Sequence, residues 1–564
     1  MMIRKQSRLT HVVLFTTILA VSQPMLGADG DSTAPAAKAS SDVDKLKAQL
    51  AQQQMQLEQL KAAMEAQKKM IEALSKTAGS APVAAAAPAP AKPASLGDVA
   101  SLTPMVPAAP APDLHTLPAI PSNSASQNAD PDAPSPLSLK IGNSYITPVG
   151  FMDFTSVNRT TVGGNGIGSN FGSIPYNNAI NGNLSEFRLS AQNSRIGARF
   201  DSLYKGVKVL GYWESDFLGN NATSVAVTSN PDTFRLRLYF VDLQKDNWEL
   251  TAGQTWSLMT PGRTGISPLP GNIFYSQDID VNYQAGLTWT RAPGIRIAYH
   301  APGGVSFAFA AENAEQYVGG GGGSGTVVSP TALSGTVFTE FNSNAATLST
   351  PNFSPDFIAK LAFDPTPKFH AELVGLESNF KSYNQTTNLH YLKSGGGVSI
   401  NSNFELFKGF RLIETTFWSD GGGRYIFGEA PDLVLKANGD IGLLHSGSAI
   451  GGFEDTIGKT LLYAYYGGIY IGRYTVLDTT GKPVGYGYTG SANSQNKAIQ
   501  EATLGFNQTI WKDAKWGAVN FMGQYSYLTR DPWYVALGQP KNTHQNQIYF
   551  DLRYTLPGSA PAIK

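Results

Sequence analysis

The sequence predicts an all-β transmembrane barrel of about sixteen antiparallel strands, preceded by a short α-helical coiled coil. Three observations lead there. From Tyr145 onward, segments of about ten residues alternate apolar and polar side chains, which a strand sorts onto opposite faces. Long Gly/Asn/Ser-rich connections take turns with tight ones, the asymmetry of an up-and-down barrel. Charged residues are only 15% of the 564, against about 25% in ordinary soluble domains, while 11% are aromatic. A soluble β-sandwich or solenoid shares the first observation but not the other two.

Residues 1–28, MMIRKQSRLTHVVLFTTILAVSQPMLGA, open with Arg4, Lys5 and Arg8, continue through an apolar core from Val12 to Val21, and then offer small residues for cleavage. They read as a secretory signal peptide, because a single membrane anchor needs about 20 apolar residues. The chain has no cysteine, which excludes a lipidated cysteine, disulfides and thiolate metal sites. A formal net charge of zero gives no bulk attraction to nucleic acid, and no nucleic-acid partner is expected.

Residues 42–76 contain neither Gly nor Pro, and Val43, Leu50, Leu57, Met64 and Ile71 recur every seventh position. Leu46, Gln53, Leu60, Gln67 and Leu74 form the second seam of a coiled coil, with the two glutamines specifying register or oligomer number. The heptads fit a dimer or a trimer; we favour the trimer. This coiled coil is expected in the periplasm, with peptidoglycan within its reach. Residues 77–139 are an Ala/Pro-rich linker too poor in large apolar side chains to form a core.

The barrel is expected over 140–556. KGVKVLGYWESDF sets Val207, Val209 and Trp213 against Lys208, Tyr212, Glu214 and Asp216, and GIRIAYHA sets Ile295, Ile297 and Tyr299 against Arg296 and His300. TFRLRLYFVDL puts Phe234, Leu236, Leu238 and Phe240 on one face, Arg235, Arg237 and Tyr239 on the other. A parity change between Phe187/Leu189/Ala191 and Ile196/Ala198/Phe200 predicts a bulge. Long loops are expected at 158–183, 218–232, 257–293, 313–354, 379–394 and 529–545, and tight turns at 204–206, 244–247, 301–304, 364–367, 406–409 and 511–515. Between Asp420 and Tyr474, LVLKANGDIGLL and KTLLYAYYGGIYIGR fit strands in more than one register, which leaves fourteen or eighteen strands open. An even number returns both ends to the turn side, the periplasm. NQIYFDLRYTL closes the barrel, with Ile548, Phe550, Leu552 and Tyr554 toward lipid and Asp551 and Arg553 inward; PGSAPAIK, 557–564, trails as a tail.

SEFRLSAQNSRIGARFD (185–201), LTAGQTWSLMTP (250–261) and RAPGIRIAYHAPGGVSFAFAAEN (291–313) resemble the bacterial DcaP-like porins, and the likeness extends over most of 140–556. The resemblance implies a sixteen-stranded homotrimer in the bacterial outer membrane, with lipid around it, passing small hydrophilic solutes by diffusion and favouring organic anions such as dicarboxylates. The connection after the fifth strand lies where general porins fold a loop inward, and it offers Arg263, Asp278, Asp280 and Arg291 as constriction residues. Strand parity assigns Arg188, Arg235, Arg237, Arg296 and Arg553 to the lumen, with Glu186, Glu214, Asp216 and Asp551. Such arginines either meet anionic solutes or pair with these acids and stiffen the wall.

The chain offers no GxSxG elbow, HExxH pair or phosphate-binding loop, so an enzyme, a cofactor and a metal site are not expected. An outer-membrane adhesin or anchor, reaching the cell wall through the coiled coil, is the rival reading.

Overall fold

The structure, a computed structural model, describes residues 135–557 apart from 164–165, 220–232, 274–276, 321–322 and 334–353. The expected signal peptide and coiled coil, most of the linker and the tail beyond 557 lie outside the described residues.

Sixteen antiparallel strands close into a barrel. They are β1 (Ser144–Arg159), β2 (Glu186–Ser190 and Arg195–Tyr204), β3 (Val207–Asp216), β4 (Arg235–Lys245), β5 (Trp248–Trp256), β6 (Arg291–Ala301), β7 (Val305–Glu312) and β8 (Asp356–Thr366). The second half comprises β9 (Phe369–Asn384), β10 (Leu389–Phe407), β11 (Phe410–Asp420), β12 (His445–Ile457), β13 (Thr460–Ile471), β14 (Asn496–Asp513), β15 (Gly517–Pro532) and β16 (Thr543–Thr555). Closure is the β1–β16 ladder, from Phe151 opposite Thr555 to Arg159 opposite Gln547. A three-residue lead-in, Leu139–Ile141, pairs at the base of β1. Both chain ends of the barrel therefore sit on one rim, as an even strand number requires. Seven short turns occupy that rim and eight longer loops, L1 to L8 in chain order, the other.

The strands are apolar outside and mixed inside, with charged, polar and small or core-forming apolar side chains. Phe187, Ile295, Ile297, Phe307, Phe309, Ile548, Phe550 and Leu552 are exposed, while Arg296, Ala298, Ala308, Ala310, Tyr549 and Asp551 are buried. In water such a surface would be an aggregation hazard; around a barrel it is the lipid-facing band. The expected bulge is present: five steps separate Ser190 from Arg195, and only four separate their partners Thr155 and Phe151. The turn at Lys205 and Gly206 has φ of 50° and 80°, the left-handed pair that matches the twist of a two-residue hairpin.

Three expectations are corrected. In β4 the ladder pairs Glu214 with Leu238 and Ser215 with Leu236, so Arg237 is an extra, bulged residue. Beyond it the alternation inverts: Tyr239 is 64% exposed on the lipid side, while Leu238 and Phe240 are buried inside. The connection placed at 379–394 is only the four-residue tip 385–388, because the β9–β10 ladder runs on to Asn384 opposite Leu389. Its polar outer side chains read as loop, although the backbone is paired; 529–545 likewise shrinks to 533–542.

The third correction concerns LVLKANGDIGLL, which is not barrel wall. It folds as a small hairpin, Leu433–Leu435 with Ile441–Leu443, inside L6. The wall strand here is HSGSAIGGFEDTI, whose glycines and serines dilute the alternation that marks its neighbours. A hairpin buried on both faces shows a continuous apolar run and imitates a strand of the sheet.

The half of the barrel toward the long loops is filled. Phe171 of L1, Leu258 and Met259 of L3, Val318 and Val327 of L4, Tyr425, Ile426 and Leu433 of L6, and Tyr486 of L7 form one hydrophobic core with wall residues such as Ile358, Val374 and Ile499.

Candidate functional site

L3, residues 257–290, crosses the lumen, and its polar anchors show where. Gly262 N donates to Glu372 Oε1 at 3.0 Å, and Lys360 Nζ reaches both Glu372 (3.1 Å) and the Thr260 carbonyl (2.8 Å). Arg263 grips Glu454 of β12 with two bonds of 2.7 and 3.0 Å, and Tyr465 OH donates to the same carboxylate at 2.7 Å. Farther on, Ala285 N donates to Glu501 at 2.8 Å, and Tyr549 OH donates to Asp280 at 3.0 Å. The loop thus leaves β5 and is held in turn by β8–β9, β12–β13, and β14–β16. At Gly467 an added Cβ would lie 2.0 Å from the Ala285 carbonyl, so the wall is bare there to let the loop lie flat on it.

Of the four expected constriction residues, Arg263 and Asp280 are tied down. Asp280 also accepts Asn282 N (2.8 Å) and Ser169 N (3.2 Å), and burial still holds its carboxyl above the usual range. Asp278 lies between Gln277 and Ile279, whose backbone N–H groups donate to Tyr465 and Gln524. Arg291 opens β6 and stands apart, its guanidinium 5.4 Å from the Trp256 ring and 5.7 Å from Trp289. Its Nη1 is buried with no hydrogen-bond partner among the described residues.

All nine expected wall residues sit on the inner face. Arg237 bridges Glu214 (2.8 Å) and Asp216 (2.6 Å), and Arg235 meets Asp216 at 2.8 and 3.0 Å. Arg195, which strand parity did not single out, approaches Glu214 at 3.5 Å. With Arg291 beside them, this patch holds four arginines against two carboxylates. Tyr283 of L3 joins the same patch, its hydroxyl oxygen accepting from Arg237 Nη2 at 3.3 Å. Burial raises the Tyr283 pKa, but Arg237, Arg195 and Arg291 outweigh it and hold the phenol below its ordinary value. Elsewhere single arginines face one or two carboxylates: Arg296 pairs with Glu249 (3.0 Å), and Arg553 with Asp153 (2.7 Å) and Asp551 (3.0 Å). Glu186 pairs with Arg159 (2.6 Å) and less closely with Arg188 (3.4 Å), which keeps 40% of its side chain exposed.

The residues that sequence reasoning missed are mostly these partners. Asp153, Glu249 and Glu372 carry a parity signal, each lying between apolar neighbours, whereas Glu454 has Asp455 beside it, and no strand pattern says which cation a carboxylate will face. The aromatic wall of the patch was invisible for another reason. Trp256, Tyr283, Trp289 and Phe427 meet from β5, L3 and L6, with ring centroids 4.9–5.6 Å apart along the chain of contacts Trp256–Trp289, Tyr283–Trp289 and Trp289–Phe427.

No family model and no curated protein matches the chain. Solved structures do. The chain is similar to the outer membrane channel DcaP of Acinetobacter baumannii at 17% identity and a TM-score of 0.54, over 74% of this chain and 98% of that one. The anion-selective porin of Comamonas acidovorans aligns at 16% identity and a TM-score of 0.42, over 73% and 99% of the two chains. OmpF of Salmonella typhi aligns at 10% and 0.39, over 74% and 99%. At such identities a likeness speaks to the fold alone, and the chain shares the fold of the DcaP outer membrane channel.

Proposed function

We propose that the chain is a DcaP-like porin of the bacterial outer membrane, a trimeric water-filled channel for passive diffusion of small hydrophilic solutes that favours organic anions such as dicarboxylates. The observation that carries the anion preference is the patch of Arg195, Arg235, Arg237 and Arg291 against Glu214 and Asp216 beside the crossing loop. Fixed guanidinium groups attract a carboxylate and can hold it with two bonds, while several weak sites in series let it leave. In this reading the half-exposed Arg188 meets the solute, while Arg195 and Arg291 add fixed positive charge to the wall behind its path. Arg235, Arg237, Arg296 and Arg553 are committed to Glu214, Asp216, Glu249, Asp153 and Asp551; they stiffen the wall and shape its field. Arg263 and Asp280 hold the loop across the lumen, with Asp278 between the loop's anchors.

One observation favours the second reading, an outer-membrane anchor or adhesin: the hydrophobic core that five loops build in the extracellular half. Planar-bilayer recording of the purified full-length protein separates the two. A trimeric porin gives conductance steps in groups of three that millimolar dicarboxylates block. An anchor with a plugged barrel gives no steps.

A further inference from the structure

On the outer wall, at the extracellular ends of β13, β14 and β15, two cations flank one indole. Arg473 lies 5.7 Å and Lys497 5.5 Å from the centre of the Trp533 ring. The ring is fixed: its Nε1 donates to the Ile471 carbonyl at 2.9 Å, its backbone N donates to Gln495 O at 3.0 Å, and Tyr470 meets it edge-on at 6.2 Å. Gly487, with φ of 71°, leaves room for this packing, since a Cβ there would stand 2.7 Å from the indole and 2.8 Å from Arg473 Cβ. The β14–β15 ladder slips between Asn496 and Ala498, so Lys497 is a bulge residue. Asn496 is buried inside, bonded to Gly172 O, while Lys497 is exposed.

Neither cation has an ion-pair partner among the described residues, although almost every inward arginine has one. Asp531, opposite Ala498 on β15, is the nearby carboxylate, and it pairs with neither. Below the cluster the outer wall carries Tyr466, Tyr470, Leu504, Tyr525 and Tyr527, all exposed and aromatic or aliphatic. Aromatic side chains of this kind mark the level where acyl chains give way to headgroups. A cation pair just above that level, pointing out of the barrel, faces headgroups rather than the solute path.

We propose that Arg473, Lys497 and Trp533 form a site for the phosphate of an anionic glycolipid of the outer leaflet, the indole lying against the sugar or acyl boundary and the two cations on the phosphate. The proposal rests on the outer-membrane reading above. The test is native mass spectrometry of the full-length protein in detergent, titrated with diphosphorylated lipid A, with its dephosphorylated form, and with inorganic phosphate as competitor. Folding is checked by heat-modifiable gel migration, and bilayer conductance is recorded on the same samples. Wild type should hold the diphosphorylated lipid at least tenfold more tightly than the dephosphorylated one; R473Q/K497Q should lose that difference, and R473K/K497R should keep it. Equal lipid binding by R473Q/K497Q would overturn the site, and displacement of the lipid by equimolar phosphate would overturn the lipid assignment. Absence of conductance in every sample would instead count against the channel reading and leave the lipid comparison intact.

Discussion

Arg291 and Arg237 sit in the same patch and should behave oppositely when neutralised. Arg237 is buried between Glu214 and Asp216. Arg237→Gln leaves buried Glu214 with only the longer Arg195 contact and Asp216 with Arg235 alone, so it should destabilise the barrel by up to about 3–5 kcal/mol, the usual cost of breaking a buried pair, read from urea unfolding in detergent. Arg291 has no carboxylate in contact among the described residues, so Arg291→Gln should leave unfolding unchanged and lower the anion-to-cation permeability ratio by about two- to threefold, as expected for loss of one fixed charge in a narrow passage. Glu429 of L6 makes a third case at this scale. It accepts Gly172 N at 3.2 Å, and burial pushes its carboxyl from 4.5 up to about 8. Because the folded value lies above the unfolded one, its contribution to holding L6 in the barrel is complete below about pH 4.5 and is lost as pH rises through about 8. Amide protection across 421–444, corrected for the intrinsic rise of exchange with pH, should therefore fall between pH 7 and 9 in wild type and not in Glu429→Gln; the same fall in both would contradict the assignment.

L3 is held as an element by anchors on three separate parts of the wall, and its release should be local. Gly467→Val must displace the Ala285 carbonyl, and should raise single-channel conductance and noise while leaving heat-modifiable migration of the barrel unchanged. This contact could not be read from the sequence, where GGIYIG is simply a glycine-rich, poor match to a strand period. What was legible at this scale was alternation: Ile548 to Tyr554 and Ile295 to Tyr299 face lipid as the pattern says, because lipid and lumen each act on every second residue. Legibility failed where a local demand overrode the period. Arg237 occupies an extra position that lets one guanidinium reach two carboxylates, and that slip sends Tyr239 to the lipid face. In L6, the run LVLKANGDIGLL answers to an inner core rather than to lipid, and so mimics a wall strand. Candidate arginines were identifiable by parity. Their partners were not, since pairing depends on register across strands that lie far apart in the chain.

The whole molecule combines a closed barrel, a loop across its lumen and a surplus of arginine beside that loop, on the fold of the DcaP channel. Leu556 N bonds the Gly150 carbonyl and Ser135 Oγ bonds the Pro557 carbonyl, so the ends of the barrel are tied together at its base. Truncation after Pro557 should accordingly leave assembly intact, measured as the yield of folded, heat-modifiable barrel. The fixed positive charge of the arginine patch should set the selectivity of the channel, and the zero-current potential measures that selectivity. With full-length protein in a planar bilayer and a tenfold salt gradient, the account predicts a potential of the sign set by anions, reduced in Arg291→Gln. A cation-selective potential, or one that Arg291→Gln leaves unchanged, would contradict it.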